Sequence, residues 1–304
     1  MALPTPHGDK LRALADNPKL PTEDSPRVAD AIGRYDKWIE ELEDVDNESA
    51  TVVTELVTLL SNYKMSVDLD LVFDSPADFL YRQKGQIKLD NTILEEFLPW
   101  LVWAVFSRDL NDLDVHLGPA TCFSAVQFVS ELRAPAPGGG MRVRSKDQDF
   151  AIARKIYLRT SHEPTFEAVT DAEAAIAYLV AEIKTNLDKT MFQEAAATAA
   201  DVKLAVPGAR YLLLCEWLDM TPIRTAGTAI DEVVILRKSK RLSSSVRQHF
   251  ANAEGRRASR AAFEEHLVSN PFSTDSFQRL LKHVGQLMAD PNLSERGILE
   301  RGWF

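Results

Sequence analysis

Glu182 and Lys184 are the two residues whose types and spacing most suggest chemistry. They close the apolar segment AIAYLVAEIK, residues 175–184, which has the pattern of a buried β-strand. Alternate residues of a strand project from one face, so the carboxylate and the ammonium group should lie side by side. Because an unpaired charge is costly to bury, the two groups should either neutralise each other or serve a function that needs both.

A metal-dependent nuclease would use such a pair. Glu182 would bind a divalent cation, and Lys184 would orient or deprotonate the attacking water or steady the charge on the phosphate. The alternative is a salt bridge that only completes the end of a strand. Charged residues make up 26% of the chain, so the Glu-x-Lys triplet by itself does not separate these hypotheses.

A second carboxylate is expected from the preceding strand. Asp149 stands at the start of a β-rich run, residues 149–158. If this strand and the segment 175–184 are antiparallel neighbours, the start of one meets the end of the other, and Asp149 and Glu182 can share a divalent cation. Magnesium prefers such hard oxygen ligands, and waters and phosphate oxygens would complete its coordination sphere.

Other acids compete for this site. Asp147 is the nearest rival to Asp149 as the first metal ligand, and Asp171 is the next. Glu131 falls near the end of a predicted helix and could reach the same site, although a solvated position at the helix end is the simpler interpretation.

Periodicity places these residues in a mixed α/β chain. The predicted helices cover residues 28–42, 50–63, 90–110 with Asp90 as the cap, 120–132, 191–206, 245–254, 258–268 and 274–288. The predicted strands cover residues 141–144, 149–158, 175–184, 211–217 and 231–237. Residues 1–26 contain five prolines and predict an extended arm, and residues 67–74 predict a short strand or a loop.

Charge is distributed unevenly along the 304 residues, whose net charge is −10. Residues 1–140 carry 12 Lys/Arg and 24 Asp/Glu, whereas residues 141–304 carry 23 and 21. Eight Lys/Arg and one acid, Glu254, lie between residues 237 and 260. A local basic stripe on an acidic protein fits a nucleic-acid binder, and a solvated helical face is the alternative.

Two further features concern the cellular compartment. Cys122 and Cys215 lie in apolar surroundings and are expected to be reduced core residues, and the N-terminus lacks a secretory pattern, so we expect a cytoplasmic protein. The most apolar run, residues 97–106, has about half the length of a membrane span and contains Pro99. We therefore expect no membrane partner.

The order of elements resembles the core of the PD-(D/E)xK nucleases, the fold of most type II restriction endonucleases. Three blocks are similar to the BbvCI-like family of these enzymes: KDQDFAIARKIY at 146–157, EIKTNLDKTMFQEA at 182–195 and YLLLCEWLDM at 211–220. The resemblance spans residues 118–240. The proline of the family's Pro-Asp pair is missing, because Gln148 precedes Asp149.

The resemblance implies a mixed central sheet flanked by helices, with a helical region at 1–117, a nuclease core at 118–245 and a helical region at 246–304 packed on the core. It implies Mg²⁺-dependent cleavage of double-stranded DNA that leaves 5′-phosphate ends. Asp149 and Glu182 would be the metal ligands and Lys184 the catalytic lysine. Gln193 could touch phosphate or water near the metal, or simply lie on the helix surface.

Partners follow from the same resemblance. The chain would act as a homodimer, or as a heterodimer with a related nuclease subunit that cuts the other strand, and a cognate DNA methyltransferase would protect the host DNA. Candidates for DNA contact are Arg237, Lys238, Lys240, Arg241, Arg256 and Arg257, mostly to phosphates. The alternatives are a structure-specific repair or phage-type nuclease on the same core and a non-catalytic DNA-binding protein.

Overall fold

A mixed five-stranded sheet forms the centre of the protein. The structure is a computed structural model that describes residues 3–289 and 295–302. The strands are β1 (His116–Phe128), β2 (Met141–Ser161), β3 (Val169–Leu187), β4 (Arg210–Leu218) and β5 (Glu232–Ile235). They lie in the order β1-β2-β3-β4-β5. The first three pair antiparallel in sequence order, and β3, β4 and β5 run parallel. The prediction of a mixed sheet flanked by helices is confirmed.

Helices cover both faces of this sheet. They are α1 (Pro6–Ala15), α2 (Ser25–Glu43), α3 (Val52–Ser66), α4 (Phe79–Gln83), α5 (Asn91–Leu110), α6 (Lys189–Ala205), α7 (Ser244–Arg247), α8 (Ala253–Ser269), α9 (Thr274–Ala289) and α10 (Glu295–Arg301). Among the described residues, no helix is long and apolar enough to cross a membrane.

The two faces carry separate hydrophobic clusters because alternate strand residues point opposite ways. On one face Ile183 and Leu214 pack with α5, with the N-terminal helices and with α9. On the other, Leu213 and Cys215 pack with α6. Helix α5 is buried almost all round, which explains why its sequence is apolar on every side.

The helix predicted over residues 120–132 is wrong, because the structure has β1 there. Bulges between Gly118 and Ala120 and between Phe123 and Ala125 shift the strand's alternation. The shifted apolar residues then imitate helical spacing. Glu131 consequently lies in the exposed loop after β1 and not on a helix.

Several local predictions also fail. Residues 3–26 contain α1 and the start of α2, since Pro6 and Pro26 occupy the first turns of these helices, where a missing N–H costs nothing. Val67–Phe73 continues α3 as a wide helical turn and is neither strand nor loop. The strands predicted at 141–144 and 149–158 are one strand, β2. The helix predicted over 245–254 is broken after Ala251.

Helix α5 does begin after Asp90, but the predicted cap does not form. The Asp90 side chain makes no capping hydrogen bond. Its Oδ2 lies 3.6 Å from Lys84 Nζ instead.

Arg256 fastens α8 to the N-terminal region, which corrects the prediction that it contacts DNA. Its side chain is fully buried. The guanidinium donates to the carbonyls of Phe73, Ser75 and Ala77 at 3.0, 3.1 and 2.8 Å, and lies 3.1 Å from Asp78 Oδ1. The buried carbonyls of Phe73 and Ser75 would lose this donor if the arginine were removed, whereas the Ala77 carbonyl also accepts from Ser75 Oγ and Asp78 also pairs with Arg82.

We therefore expect Arg256→Ala to lower the free energy of unfolding by about 3 kcal/mol, because the buried carbonyls of Phe73 and Ser75 lose their donor and a large buried side chain is removed. The exposed neighbour Arg257 provides the control, and Arg257→Ala should change the free energy of unfolding by less than about 0.5 kcal/mol. Denaturant titration of both variants measures the difference. Equal stability of the two would contradict the fastening role.

Candidate active site

The end of β3 brings Glu182 and Lys184 together on one face, as their spacing predicts. Lys184 Nζ lies 2.8 Å from Glu182 Oε1, and the two side chains are 26% and 16% exposed. Burial lowers the pKa of Lys184, but its hydrogen bond to Glu182 and the charges of Glu182, Asp149 and Glu194 outweigh burial and raise the pKa overall. Lys184 is therefore a cation at neutral pH.

Asp149 joins this pair through the backbone. Its Oδ2 accepts a hydrogen bond of 2.8 Å from the N–H of Ile183, the residue between Glu182 and Lys184. Strand β2 begins eight residues before Asp149 and not at it, but the pairing of β2 with β3 starts at the next residue, Phe150 opposite Ala181. Burial raises the pKa of Asp149, and the charge of Glu182 adds to the shift.

Tyr211 on β4 is a member of the site that sequence analysis missed. Its hydroxyl donates to Glu182 Oε2, so both oxygens of this carboxylate have partners. Burial, followed by the charge of Glu182, raises the pKa of Tyr211 and keeps the phenol protonated. Its only signal in the sequence is a tyrosine at the start of a buried strand that follows the Glu-x-Lys strand.

Glu95 on α5 is a second missed residue. Its Oε1 is buried and has no hydrogen-bond partner among the described residues. Burial and then the negative charge of Asp149 raise its pKa to about 7. An acid inside the apolar run of α5 was the available signal, because charged residues are rarely buried there without a reason.

The adjacent Glu96 shows how a structural glutamate differs. Its Oε1 accepts from the Tyr35 hydroxyl at 2.6 Å, and its Oε2 accepts from the N–H groups of His7 and Gly8 at 2.8 and 3.2 Å. Both oxygens are satisfied, and together they bind α1 to α5. Glu95 has no comparable set of donors.

These carboxylates fit a divalent cation. Burial raises the pKa of Asp149 and that of Glu95, so their ionised forms lack compensation, and Glu95 has an unpartnered oxygen. Within residues 3–289 and 295–302, no three His, Cys, Asp or Glu side chains form a ready ligand cluster. Magnesium suits such a site, since it usually takes one or two carboxylates and keeps several waters.

Asn91, the first residue of α5, contacts β3 on both sides of Lys184, at the Thr185 side chain and at the Ile183 backbone. Thr185 Oγ1 donates to Asn91 Oδ1 at 2.6 Å, and Asn91 Nδ2 lies 3.4 Å from the carbonyl oxygen of Ile183. Just beyond, Asp188 caps α6 by accepting from the Met191 N–H at 2.9 Å. The helices on both faces thus hold the strand end.

The rival acids are engaged elsewhere. Asp147 is exposed and accepts from Thr121 Oγ1 at 2.6 Å. Asp171 pairs with Arg159 at 2.7 Å on the exposed part of the β2–β3 hairpin. Glu131 follows the end of β1 that pairs with the start of β2. That start lies eight strand residues from Asp149, which corresponds to roughly 26 Å, so Glu131 is far from the site.

The residue of helix α6 that acts on the site is Glu194 and not the predicted Gln193. Gln193 is exposed on the first turns of α6. Glu194, the next residue, is the α6 side chain whose charge acts on Lys184.

The basic residues predicted to meet DNA have different environments. Arg237 is 5% exposed and is a correction, because its Nε donates to Glu216 at 2.8 Å and its Nη1 to the Asn270 carbonyl. Lys238 pairs with Asp275 at 2.6 Å, and Arg241 pairs with Asp219 at 2.9 Å. Lys240 and Arg257 are exposed, as DNA contact requires.

The raised pKa of Glu95 predicts a pH effect on stability. The wild type should lose free energy of unfolding as pH rises through about 7, because Glu95 must then ionise in its buried site. Glu95→Gln cannot ionise, so we expect it to exceed the wild type by about 2 kcal/mol at pH 8 and to match it at pH 4.5. Denaturant unfolding from pH 4.5 to 8 measures this difference.

The exposed Glu163 supplies the control, and Glu163→Gln should follow the wild-type pH profile. Added Mg²⁺ should flatten the wild-type profile, because a nearby cation favours the ionised carboxylates. A Glu95→Gln profile parallel to that of the wild type would contradict the buried, uncompensated charge.

Comparison with known proteins bears on the fold and on the family. A solved structure described as the native BbvCI A2B2 tetramer superimposes with a TM-score of 0.52 at 16% sequence identity, covering 85% of this chain and 95% of that chain. Among curated proteins no sequence matches the chain. The model of the Bpu10I restriction endonuclease family matches residues 86–304, which include every strand and the helices from α5 onward. The chain therefore belongs to the Bpu10I restriction endonuclease family and is a site-specific DNA nuclease.

Proposed function

We propose that this chain is a type II restriction endonuclease that uses Mg²⁺ to hydrolyse phosphodiester bonds of double-stranded DNA at a short, asymmetric site, leaving 5′-phosphate ends. The observation that carries the proposal is the convergence of Asp149, Glu182 and Lys184 at one end of the sheet in a member of this family. Residues from two strands meet there because β2 and β3 pair antiparallel.

In this proposal Asp149 and Glu182 would hold Mg²⁺, and Glu95, whose pKa the charge of Asp149 helps to raise, is a further carboxylate near them. When bound, the ion would neutralise phosphate charge and supply a water of lowered pKa. Lys184 donates hydrogen bonds to the phosphate or to the attacking water, since its raised pKa keeps it protonated and unsuited to act as a base. Tyr211 holds the orientation of Glu182 through its hydroxyl.

The proposed assembly is a pair of related nuclease subunits, each cutting one strand. An asymmetric site presents two different strands, so a heterodimer suits it, whereas a homodimer would suit a palindrome. The A2B2 composition in the description of the BbvCI structure supports the first arrangement. A cognate methyltransferase and a cytoplasmic location belong to the same proposal, because host DNA must be protected from the enzyme.

Incubation of the purified chain with supercoiled plasmid and Mg²⁺ tests the function. Discrete linear fragments would mean a self-sufficient restriction enzyme, and nicked circles alone would mean one half of a two-subunit enzyme. A smear would favour a repair or phage-type nuclease. Sequence-specific binding without cleavage in Mg²⁺ or Mn²⁺, with or without a related subunit, would favour a DNA-binding protein.

Substitutions test the site. Lys184→Ala and Glu182→Ala should lower cleavage at least about 1,000-fold, because charge stabilisation at the reacting phosphate is lost. Both should still bind the site in Ca²⁺, as measured by gel shift. Asp149→Ala should behave alike, while Asp147→Asn, altered two residues away at an exposed position, should cut normally. Activity in Asp149→Ala together with loss in Asp147→Asn would reverse the choice of acid.

Asn91 should affect rate more than affinity, since it positions the backbone around Lys184. Removing its bond to Thr185 by Asn91→Ala or Thr185→Val should lower the single-turnover rate about 10- to 100-fold with unchanged DNA affinity. Thr185→Ser keeps the hydroxyl and should retain the wild-type rate. The double variant should be no slower than either single one, and additive losses would argue against a shared bond.

A further inference from the structure

A cavity of about 500 Å³ opens beside the proposed active site. Thr185 and Asn186, which directly follow Lys184 on β3, form part of its wall. Strand β4 contributes Glu216 and Trp217, and the remaining lining comes from α3, α4, α8 and the segments before α5 and around α7. The volume is within the range of small-molecule sites, and no role in the proposed cleavage step uses this cavity.

Unpartnered carboxylate oxygens lie at the base of the cavity. The Glu216 side chain is 1% exposed, and its Oε1 accepts from Arg237, but its Oε2 has no hydrogen-bond donor among the described residues. Lys64 Nζ is 3.4 Å from this oxygen, near enough for charge attraction without a hydrogen bond. Asp90 Oδ1 is likewise buried and without a partner.

Both carboxyl groups are ionised at neutral pH. Burial opposes the ionisation of Glu216, but the charges of Lys64 and Arg237 outweigh it and lower the pKa. Asp90 has a lowered pKa for the same reason, with Lys84 and Lys64 outweighing burial. An ionised carboxylate only accepts hydrogen bonds, so a ligand here must present N–H or O–H donors.

The walls and rim add two further requirements. The Trp217 and His266 rings stack at 4.7 Å, and three more aromatic side chains line the cavity, which suits a flat ring. Five cationic side chains and three carboxylates line it in total, and the exposed Arg82 is one of the cations at the rim. Arg82 pairs with Asp78 and Arg241 with Asp219, two carboxylates outside the lining, so a phosphate at this rim would compete with existing ion pairs.

We propose that this cavity receives a nucleotide extruded from the DNA duplex, with an amino-bearing base (adenine, cytosine or guanine) donating to Glu216 and Asp90 and its phosphate near the cationic rim. The proposal rests on the proposed function. Enzymes that do chemistry on a base take its nucleotide out of the stack into such pockets and read its edge there, and the same mode of recognition is proposed here for a nuclease. Thymine has no amino group and fits these acceptors less well.

Position favours duplex DNA over a free nucleotide as the source. Thr185 and Asn186 lie one and two residues from Lys184, roughly 3–7 Å along the strand, with the Thr185 side chain directed towards α5 and that of Lys184 towards α6. Successive nucleotides of one DNA strand are spaced by about 3.4 Å along the helix axis, so an extruded nucleotide would be a near neighbour of the cleaved phosphate.

The test first maps the cleaved sequence on plasmid DNA. Duplexes of that sequence, each with 2-aminopurine at one position, are then bound to the full chain in Ca²⁺, with its related subunit where cleavage requires one. We expect the 2-aminopurine fluorescence to change about fivefold or more at one position, because unstacking of the base relieves its quenching. A mismatch at that position should tighten binding of the duplex severalfold, because the base is already unpaired.

Ala251→Trp, at an exposed residue lining the cavity, should abolish both effects by filling the space. Ala258→Trp, at an exposed position on α8 away from the lining, should leave both unchanged. The proposal is overturned if no position responds, or if Ala251→Trp responds like the wild type.

Failure of the proposed function is distinguishable from failure of this proposal. If plasmid is neither cut nor nicked in Mg²⁺ or Mn²⁺, the nuclease assignment fails, and dAMP, dGMP, dCMP and dTMP become the probes. One outcome is saturable binding of the amino-bearing monophosphates that is lost in Ala251→Trp and kept in Ala258→Trp. It would support a pocket that binds free nucleotides. Absence of such binding would overturn the pocket.

Discussion

The structure around the site depends on one constraint, which is that charged side chains at the end of a buried strand need partners. Strand β3 carries Glu182 and Lys184 into a mostly buried place, and an isolated charge there would be costly. The lysine, the Tyr211 hydroxyl and the Ile183 N–H each meet one of the carboxylates. Helices on the two faces then hold the strand end in position. The remaining negative charge, shared by Asp149 and Glu95, is what a divalent cation would relieve.

Much of this arrangement follows from local sequence. The segment from β3 through α6 to β4 is continuous, and each part shows its own period, so element types and the Glu182–Lys184 pair could be predicted. Strand β1 could not, because its two bulges break the alternation that identifies a strand. Glu95 and Tyr211 could not either, since their roles depend on contacts between α5, β2, β3 and β4 that sequence distance conceals.

The basic residues after β5 show a second limit of sequence. A run of Lys and Arg predicts a DNA-binding surface, yet Arg237 and Arg256 are buried and hold the chain together. Arginine serves both purposes because its planar, always charged group can satisfy several carbonyls as well as a phosphate. Only the burial of each side chain distinguishes the two uses, which leaves Lys238, Lys240 and Arg257 as exposed candidates, with Lys238 paired to Asp275.

The N-terminal helices have a practical consequence for anyone handling pieces of this enzyme. The family match starts at residue 86, but one hydrophobic cluster extends from Leu11 to Val284, and Glu96 binds α1 to α5. A fragment trimmed to the matched residues would expose the apolar surface of α5 and leave Glu96 without its donors. The region that matches the family is therefore smaller than the unit that folds, and expression should start from the first helix.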